Sequence, residues 1–395
     1  MARNSRLVFL AKTIRTFCYG FLGVLLPVYL TGLGFTPADL GFAVTLTLLA
    51  SAAMTFAIRE PARRFGPRVV LVGQAGLVVL SGAIFLLSRE PWIAVAAAMI
   101  GNIAVGTGET GPFLTVEQVV VTRDTPRERL THVLSLYNLL GYAAAAIGAS
   151  AVGQAAVSPR ALFGVFLIGG LVQVAAYALM RVEPVRAASS ATHVDAPSRA
   201  LVRKIAALFA LDSLAGGFVL QSLIAFWFHA RFGADLAQLG WIFFGVQILS
   251  GISLLLAARI APTLGLVNTM VLSHLISNLF LIGVALSPTL WTAAALLLAR
   301  HLLSQMDVPT RQAFLMLVVE DREREAASSL TNSSRTLAQS ISPTIAGWVM
   351  QGVALGAPLL LGAGLKIVYD VLLYATIRNV QPVDRHDKPP ATRRE

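Results

Sequence analysis

Apolar runs of about 20 residues, separated by short polar breaks, recur along this chain, and that length matches the hydrocarbon core of a bilayer. The pattern predicts helices over 7–31, 37–58, 68–88, 91–119, 128–155 and 160–181, then over 203–230, 236–258, 265–287, 290–319, 325–353 and 357–378. Proline punctuates the breaks at Thr36-Pro37, Glu90-Pro91, Ser158-Pro159, Ser287-Pro288 and Ala357-Pro358, because it disfavours helix in the residue before it. The predicted class is an all-α membrane protein of twelve spans.

Composition agrees with that pattern. Charged residues are 13 % of the chain, against about 25 % in a soluble domain. The net charge of +11 could suggest a nucleic-acid surface, but the basic residues cluster in short loops beside apolar runs. One set of loops, with both termini, carries 22 Lys and Arg; the opposite loops carry three, Arg89, Arg160 and Arg231; six lie within spans. The positive-inside rule therefore predicts cytoplasmic termini. The single cysteine, Cys18, excludes a disulfide framework and a four-cysteine metal site. Lys12 and Arg15 interrupt the first apolar run too early for a cleaved signal. The polar stretch 182–202 reads as a cytoplasmic linker between six-helix bundles at 1–181 and 203–378, and 379–395 as a disordered tail.

The two halves repeat at an offset near 200. Arg64-Phe65-Gly66 parallels Thr263-Leu264-Gly265; Lys12 aligns with Asp212, Asn102 with Arg300, Glu109 with Asp307, and Pro112 with Pro309. Parallel six-span repeats are a transporter architecture with its site between the halves near the midplane. The loop Arg59-Glu60-Pro61-Ala62-Arg63-Arg64-Phe65-Gly66-Pro67-Arg68 resembles the signature loop of the major facilitator superfamily, Gly-x-x-x-Asp-Arg-x-Gly-Arg-Arg. Arg64, Gly66 and Arg68 fit it, whereas Arg63 stands where the family has aspartate. Ser304-Gln305-Met306-Asp307-Val308-Pro309-Thr310-Arg311-Gln312 is similar to a run in a poorly characterised bacterial branch. The resemblance implies two pseudo-two-fold-related bundles in a bacterial inner membrane. It also implies alternating access, a central cavity lined by spans one, four, seven and ten, and a cytoplasmic latch at Arg64, Gly66 and Arg68.

A charge in the hydrocarbon core costs at least about 3 kcal/mol, so intramembrane charges face protein or water and are functional candidates. They are Lys12 and Arg15 on span one, Glu109 and Glu117 on span four, and Asp212 on span seven. Arg300, Asp307 and Arg311 follow on span ten, Arg335 on span eleven, and Lys366 and Asp370 on span twelve. Eight of these lie on the four spans that the resemblance places around the cavity. At about 1.5 Å per residue, Asn102 and Arg300 fall near the midplane, and Glu109 and Asp307 deeper. Lys12, Arg15, Tyr19 and Leu22 share one helical face.

Two readings of these charges stand. In one, Glu109, Asp212 or Asp307 carries a proton while Arg15, Tyr19, Asn102, Arg300, Arg311 and Arg335 contact solute. In the other they close a cytoplasmic gate, with Lys12 paired to Asp212. Glu117 is expected among lipid headgroups. Lys366 and Asp370, at i and i+4, are expected to pair with each other, and the lone histidines to be packed. Gly106 to Pro112 lacks the ending of a phosphate loop; with Pro309 it marks paired kinks where helices loosen beside a cavity. No catalytic motif, metal site or cofactor is expected. The favoured function is proton-coupled export of a small organic compound or drug by a monomer in the lipid bilayer. The runners-up are uptake or exchange of an anionic metabolite through a net-basic cavity, and a non-transporting scaffold or receptor.

Overall fold

The computed structural model describes residues 3–106, 111–154, 158–181, 196–319 and 323–377. Sixteen helices form among them: α1 (Arg3–Gly32), α2 (Pro37–Ala57), α3 (Arg59–Phe65), α4 (Pro67–Leu87), α5 (Pro91–Ile100), α6 (Pro112–Arg123), α7 (Arg127–Ala151), α8 (Pro159–Ala178), α9 (Ala196–Gly217), α10 (Gln221–Phe232), α11 (Leu236–Leu264), α12 (Leu266–Leu286), α13 (Leu290–Ser304), α14 (Asp307–Val318), α15 (Arg324–Gly352) and α16 (Ala357–Ile377). Nine stretches among the described residues are long and apolar enough to cross a membrane. The remaining three predicted spans are the interrupted pairs α5/α6 and α13/α14, and the serine-rich α15. The order is consistent with twelve crossings. Most of the expected linker, 182–195, and the tail from 378 lie outside the described residues.

Helix ends repeat between the halves in backbone detail. Thr36 and Asp235 each open a capping box, with Asp39 and Gln238 reaching back to the cap, which satisfies N–H groups that a helix start leaves orphaned. Gly34 and Gly233 have φ +96° and +67°, and Gly66 and Gly265 have φ +85° and +80°. Glycine adopts positive φ at the least cost, so each pair marks the same turn in each half. This is the internal duplication expected from the matches around Gly66 and Gly265.

Three spans break where the sequence reading drew them as continuous or merely kinked. α5 stops in a Schellman motif: Ile103 N–H donates to the Ala98 carbonyl and Asn102 N–H to the Met99 carbonyl, both at 3.2 Å. Asn102 takes the left-handed position at φ +49° that such a cap requires. Span seven, expected unbroken over 203–230, divides at 218–220 after Gly216-Gly217. Span ten divides at Gln305-Met306. The signature-like loop between spans two and three contains the short exposed α3.

The bundles meet through α2 against α15 and α7 against α11. Among the described residues, hydrogen bonds between bundles gather toward the end where α1 finishes. Thr344 donates from N–H and hydroxyl to the Thr45 hydroxyl at 3.1 and 2.8 Å, and Ala38 N–H to Gln351 at 3.3 Å. Deeper in, Ser222 N–H, an orphan donor at the start of α10, finds the Val105 carbonyl of broken span four at 3.1 Å. Irregular backbone inside a membrane needs such partners.

Gly41 and Gly347 let the helices touch at this closed end. A Cβ built on Gly347 would sit 2.4 Å from the Pro37 carbonyl oxygen, and one on Gly41 2.2 Å from that of Pro343. Overpacking costs about 1–3 kcal/mol, a population shift of about fivefold to 150-fold. Gly347→Val is thus expected to open this end. A cysteine placed at Thr45 should then react at least severalfold faster with an impermeant maleimide; an unchanged rate would show that the contact does not seal the protein.

Candidate functional site

The intramembrane charges assemble into two buried clusters, one per bundle. In the first, Arg15 forks onto Glu117, with Nη1 3.0 Å from Oε1 and Nη2 2.7 Å from Oε2. Arg15 Nη1 also donates to the Tyr177 hydroxyl at 2.7 Å. Tyr177 donates in turn to Glu117 Oε1, and Tyr137 to Oε2. The carboxylate thus accepts four hydrogen bonds, its full capacity, and both charged side chains are 0 % exposed. The cluster joins α1, α6, α7 and α8. Lys12 Nζ lies 3.7 Å from the centre of the Tyr137 ring, a cation–π contact. Gly141 gives its stem room, since a Cβ there would approach Lys12 Cε to 2.8 Å.

In the second cluster, Asp212 on α9 receives Lys366 Nζ from α16 at 2.6 Å and Arg311 Nη1 from α14 at 3.3 Å. The same Arg311 nitrogen lies 2.7 Å from Asp307. His274 on α12 sits between Asp370 Oδ1, 2.7 Å from its Nδ1, and Lys366 Nζ, 3.2 Å from its Nε2. An ammonium only donates, so the Lys366 contact assigns Nε2 as acceptor and puts the imidazole proton on Nδ1, facing Asp370. Asp212 Oδ1 is 3.6 Å from His274 Nε2. Asn278 donates to the other Asp370 oxygen at 3.2 Å. The result is a continuous polar chain, Asp370–His274–Lys366–Asp212–Arg311–Asp307, through four helices.

Several expectations change. Asp212 pairs within its own bundle, not with Lys12, because Lys366, Arg311 and His274 surround it. Lys366 and Asp370 do not pair directly; His274 stands between them. Glu117, expected exposed among lipid headgroups, is fully enclosed, because Arg15, Tyr137 and Tyr177 surround its carboxylate and stabilise its charge. Glu109 lies outside the described residues. Sequence reasoning missed His274, Asn278, Tyr137 and Tyr177. One signal for the first two was available: His274/Asn278 and Lys366/Asp370 are each i, i+4 polar pairs in apolar spans, where such pairs need partners.

The other candidates are dispersed. Arg300 is buried, with Nη1 3.4 Å from His301 Nε2. The half-buried Arg335 donates through Nε to the Ser213 hydroxyl at 2.9 Å. Tyr19 is buried on α1. Asn102 lines a cavity of about 60 Å³ with Thr47, Ser51, Gly106, Leu220 and Gln339, between the breaks of spans four and seven. That is room for a few waters. Arg64 and Arg68 are exposed, Arg64 lying over the Phe65 ring at 5.5 Å.

Helices broken at mid-depth, buried charges on facing spans, and a seal between bundles at one end define a multi-pass membrane transporter. The profile of the Major Facilitator Superfamily matches residues 8–298 and 205–394, and the chain belongs to that family. An uncharacterized membrane protein of Saccharomyces cerevisiae is 22 % identical over 418 residues, spanning 94 % of this chain and 93 % of its own. The nucleoside transporter NupG superposes with TM-score 0.73 at 16 % identity, covering 95 % of this chain and 99 % of that one. A D-xylose-proton symporter does so with TM-score 0.70 at 14 % identity, over 95 % and 98 %. The human organic anion transporter MFSD10 gives TM-score 0.66 at 16 % identity, over 94 % and 99 %. At these identities the structures share the fold.

Proposed function

We propose that this transporter is proton-coupled and exports a small organic compound. In this reading it acts as a monomer in a bacterial inner membrane, with cytoplasmic termini and six-span halves at 1–181 and 203–378 joined by the linker 182–202. One observation carries the coupling: Asp212 binds Lys366, shares Arg311 with Asp307, and lies 3.6 Å from His274, which binds Asp370. A proton added to Asp212 frees Lys366 and Arg311 to bind other groups. Partner exchange between helices α9, α14 and α16 is therefore tied to protonation, as alternating access requires. The Arg15–Glu117 cluster, saturated with donors, serves as a fixed joint. Arg64, Gly66 and Arg68 would latch the cytoplasmic ends.

Proteoliposomes loaded with a pH-sensitive dye test this. Solutes to be added are uridine, xylose, benzoate, glucose 6-phosphate and tetraphenylphosphonium. Export by exchange predicts that at least one solute drives protons in the opposite direction, and that the dye response disappears with a protonophore. Protons moving with the solute would favour uptake instead. Solute flux without proton movement would refute coupling.

A further inference from the structure

Arg300 is a buried cation of the second bundle that contacts no carboxylate among the described residues. It is 7 % exposed, its Nε is enclosed without a hydrogen-bond partner, and its one polar contact among the described residues is His301. Asp212 and Asp307 attract it electrostatically, but both already bind Arg311, and Asp212 binds Lys366 as well. Arg335, influenced by the same two carboxylates, bonds a serine hydroxyl and no carboxylate among the described residues. Among the described residues this region sets Arg300, Arg311, Arg335 and Lys366 against Asp212, Asp307 and Asp370, four cations to three carboxylates. A buried charge lacking a partner is strongly unfavourable, so a folded chain that retains one has a use for it.

The geometry beside Arg300 is prepared. His301 Nδ1 donates to the Leu297 carbonyl at 3.0 Å, which fixes the ring and its tautomer and leaves Nε2 as the acceptor facing Arg300 Nη1. One edge of the guanidinium is thereby oriented by a neutral ring, and its remaining N–H groups are left for another acceptor. A planar guanidinium fork matches carboxylate and phosphate oxygens in two-point contact.

We propose that Arg300 binds an anionic group of the transported solute, a carboxylate or a phosphate ester, and that His301 is its positioning residue. This rests on the transport reading and specifies the solute: an organic anion whose charge completes the surplus cation. The site lies ten residues from the start of α13 and one turn before the break at Gln305-Met306, so its occupancy acts directly on a point where span ten bends.

Thermal unfolding of the full chain in lipid-free detergent at fixed ionic strength tests the proposal without knowing the natural solute. The probes are benzoate against benzamide, and glucose 6-phosphate against glucose. At least one anion should raise the wild-type melting temperature, and its neutral counterpart should not. Arg300→Met should melt about 2 °C or more above ligand-free wild type, since an uncompensated charge is gone, and should show no anion shift. Arg300→Lys should keep a reduced shift, as should His301→Leu, whereas His301→Gln, which retains an acceptor, should recover most of it. A lower melting temperature for Arg300→Met, an equal response to the neutral probes, or no response to either anion would overturn the proposal. Proton coupling is read separately, so an intact anion shift in a protein that moves no protons would refute coupling alone.

Discussion

Glu117→Gln should cost the protein about 3–5 kcal/mol, the loss typical when one member of a buried ion pair is removed. The carboxylate accepts from both Arg15 nitrogens and from Tyr137 and Tyr177. An amide offers one oxygen for these four donors and turns an NH₂ group against the rest. Arg15 keeps its charge at 0 % exposure, and four helices lose their common anchor. Arg15→Leu should be similarly damaging. The double variant Arg15→Leu/Glu117→Leu should recover a large part of the loss, because removing both charges also removes their desolvation cost. Melting temperature and the folded fraction on size-exclusion chromatography measure this. If each single variant stays within about 1 kcal/mol of wild type, the range of exposed pairs, the fixed-joint role fails.

Asp212→Asn should reduce transport about 10²-fold or more, a loss of roughly 2.7 kcal/mol. The shape of the side chain survives, but the charge shared by Lys366 at 2.6 Å and Arg311 at 3.3 Å does not. Lys366 then faces only the His274 ring, and Arg311 turns wholly to Asp307. Some of the loss will appear as poor folding. Asp212→Asn/Lys366→Met separates the two effects: it removes both charges, so the folded yield should return while proton-linked transport stays absent. Recovery of proton-linked transport in the double variant would show the pair to be structural.

Much of the fold is legible in the sequence because hydropathy and helix punctuation are local. Pro37, Pro91, Pro159 and the Gly66/Gly265 turns mark helix ends from a few residues alone. The positions of the charges are legible for the same reason. Their partners are not, because they depend on how helices far apart in the chain rotate against each other. Lys12 and Asp212 occupy equivalent places in the repeat, and symmetry suggests joining them. Yet Asp212 lies among Lys366, Arg311 and His274 of its own bundle, and Lys12 lies against Tyr137. His274 looks like an ordinary packed histidine until α16 is set beside α12. The break at 218–220 has only Gly216-Gly217 as its signal, and what stabilises it, the Val105 carbonyl on Ser222, comes from the other half.

The account depends on Asp212 and its neighbours being the part that exchanges protons, while Arg15–Glu117 stays fixed. The most direct measurement is the number of protons moved per solute in proteoliposomes of wild type and of Asp212→Asn/Lys366→Met. The account predicts a fixed stoichiometry in wild type, and in the double variant only downhill solute exchange that no pH gradient can drive. A double variant that still moves protons with solute at the wild-type ratio would contradict it.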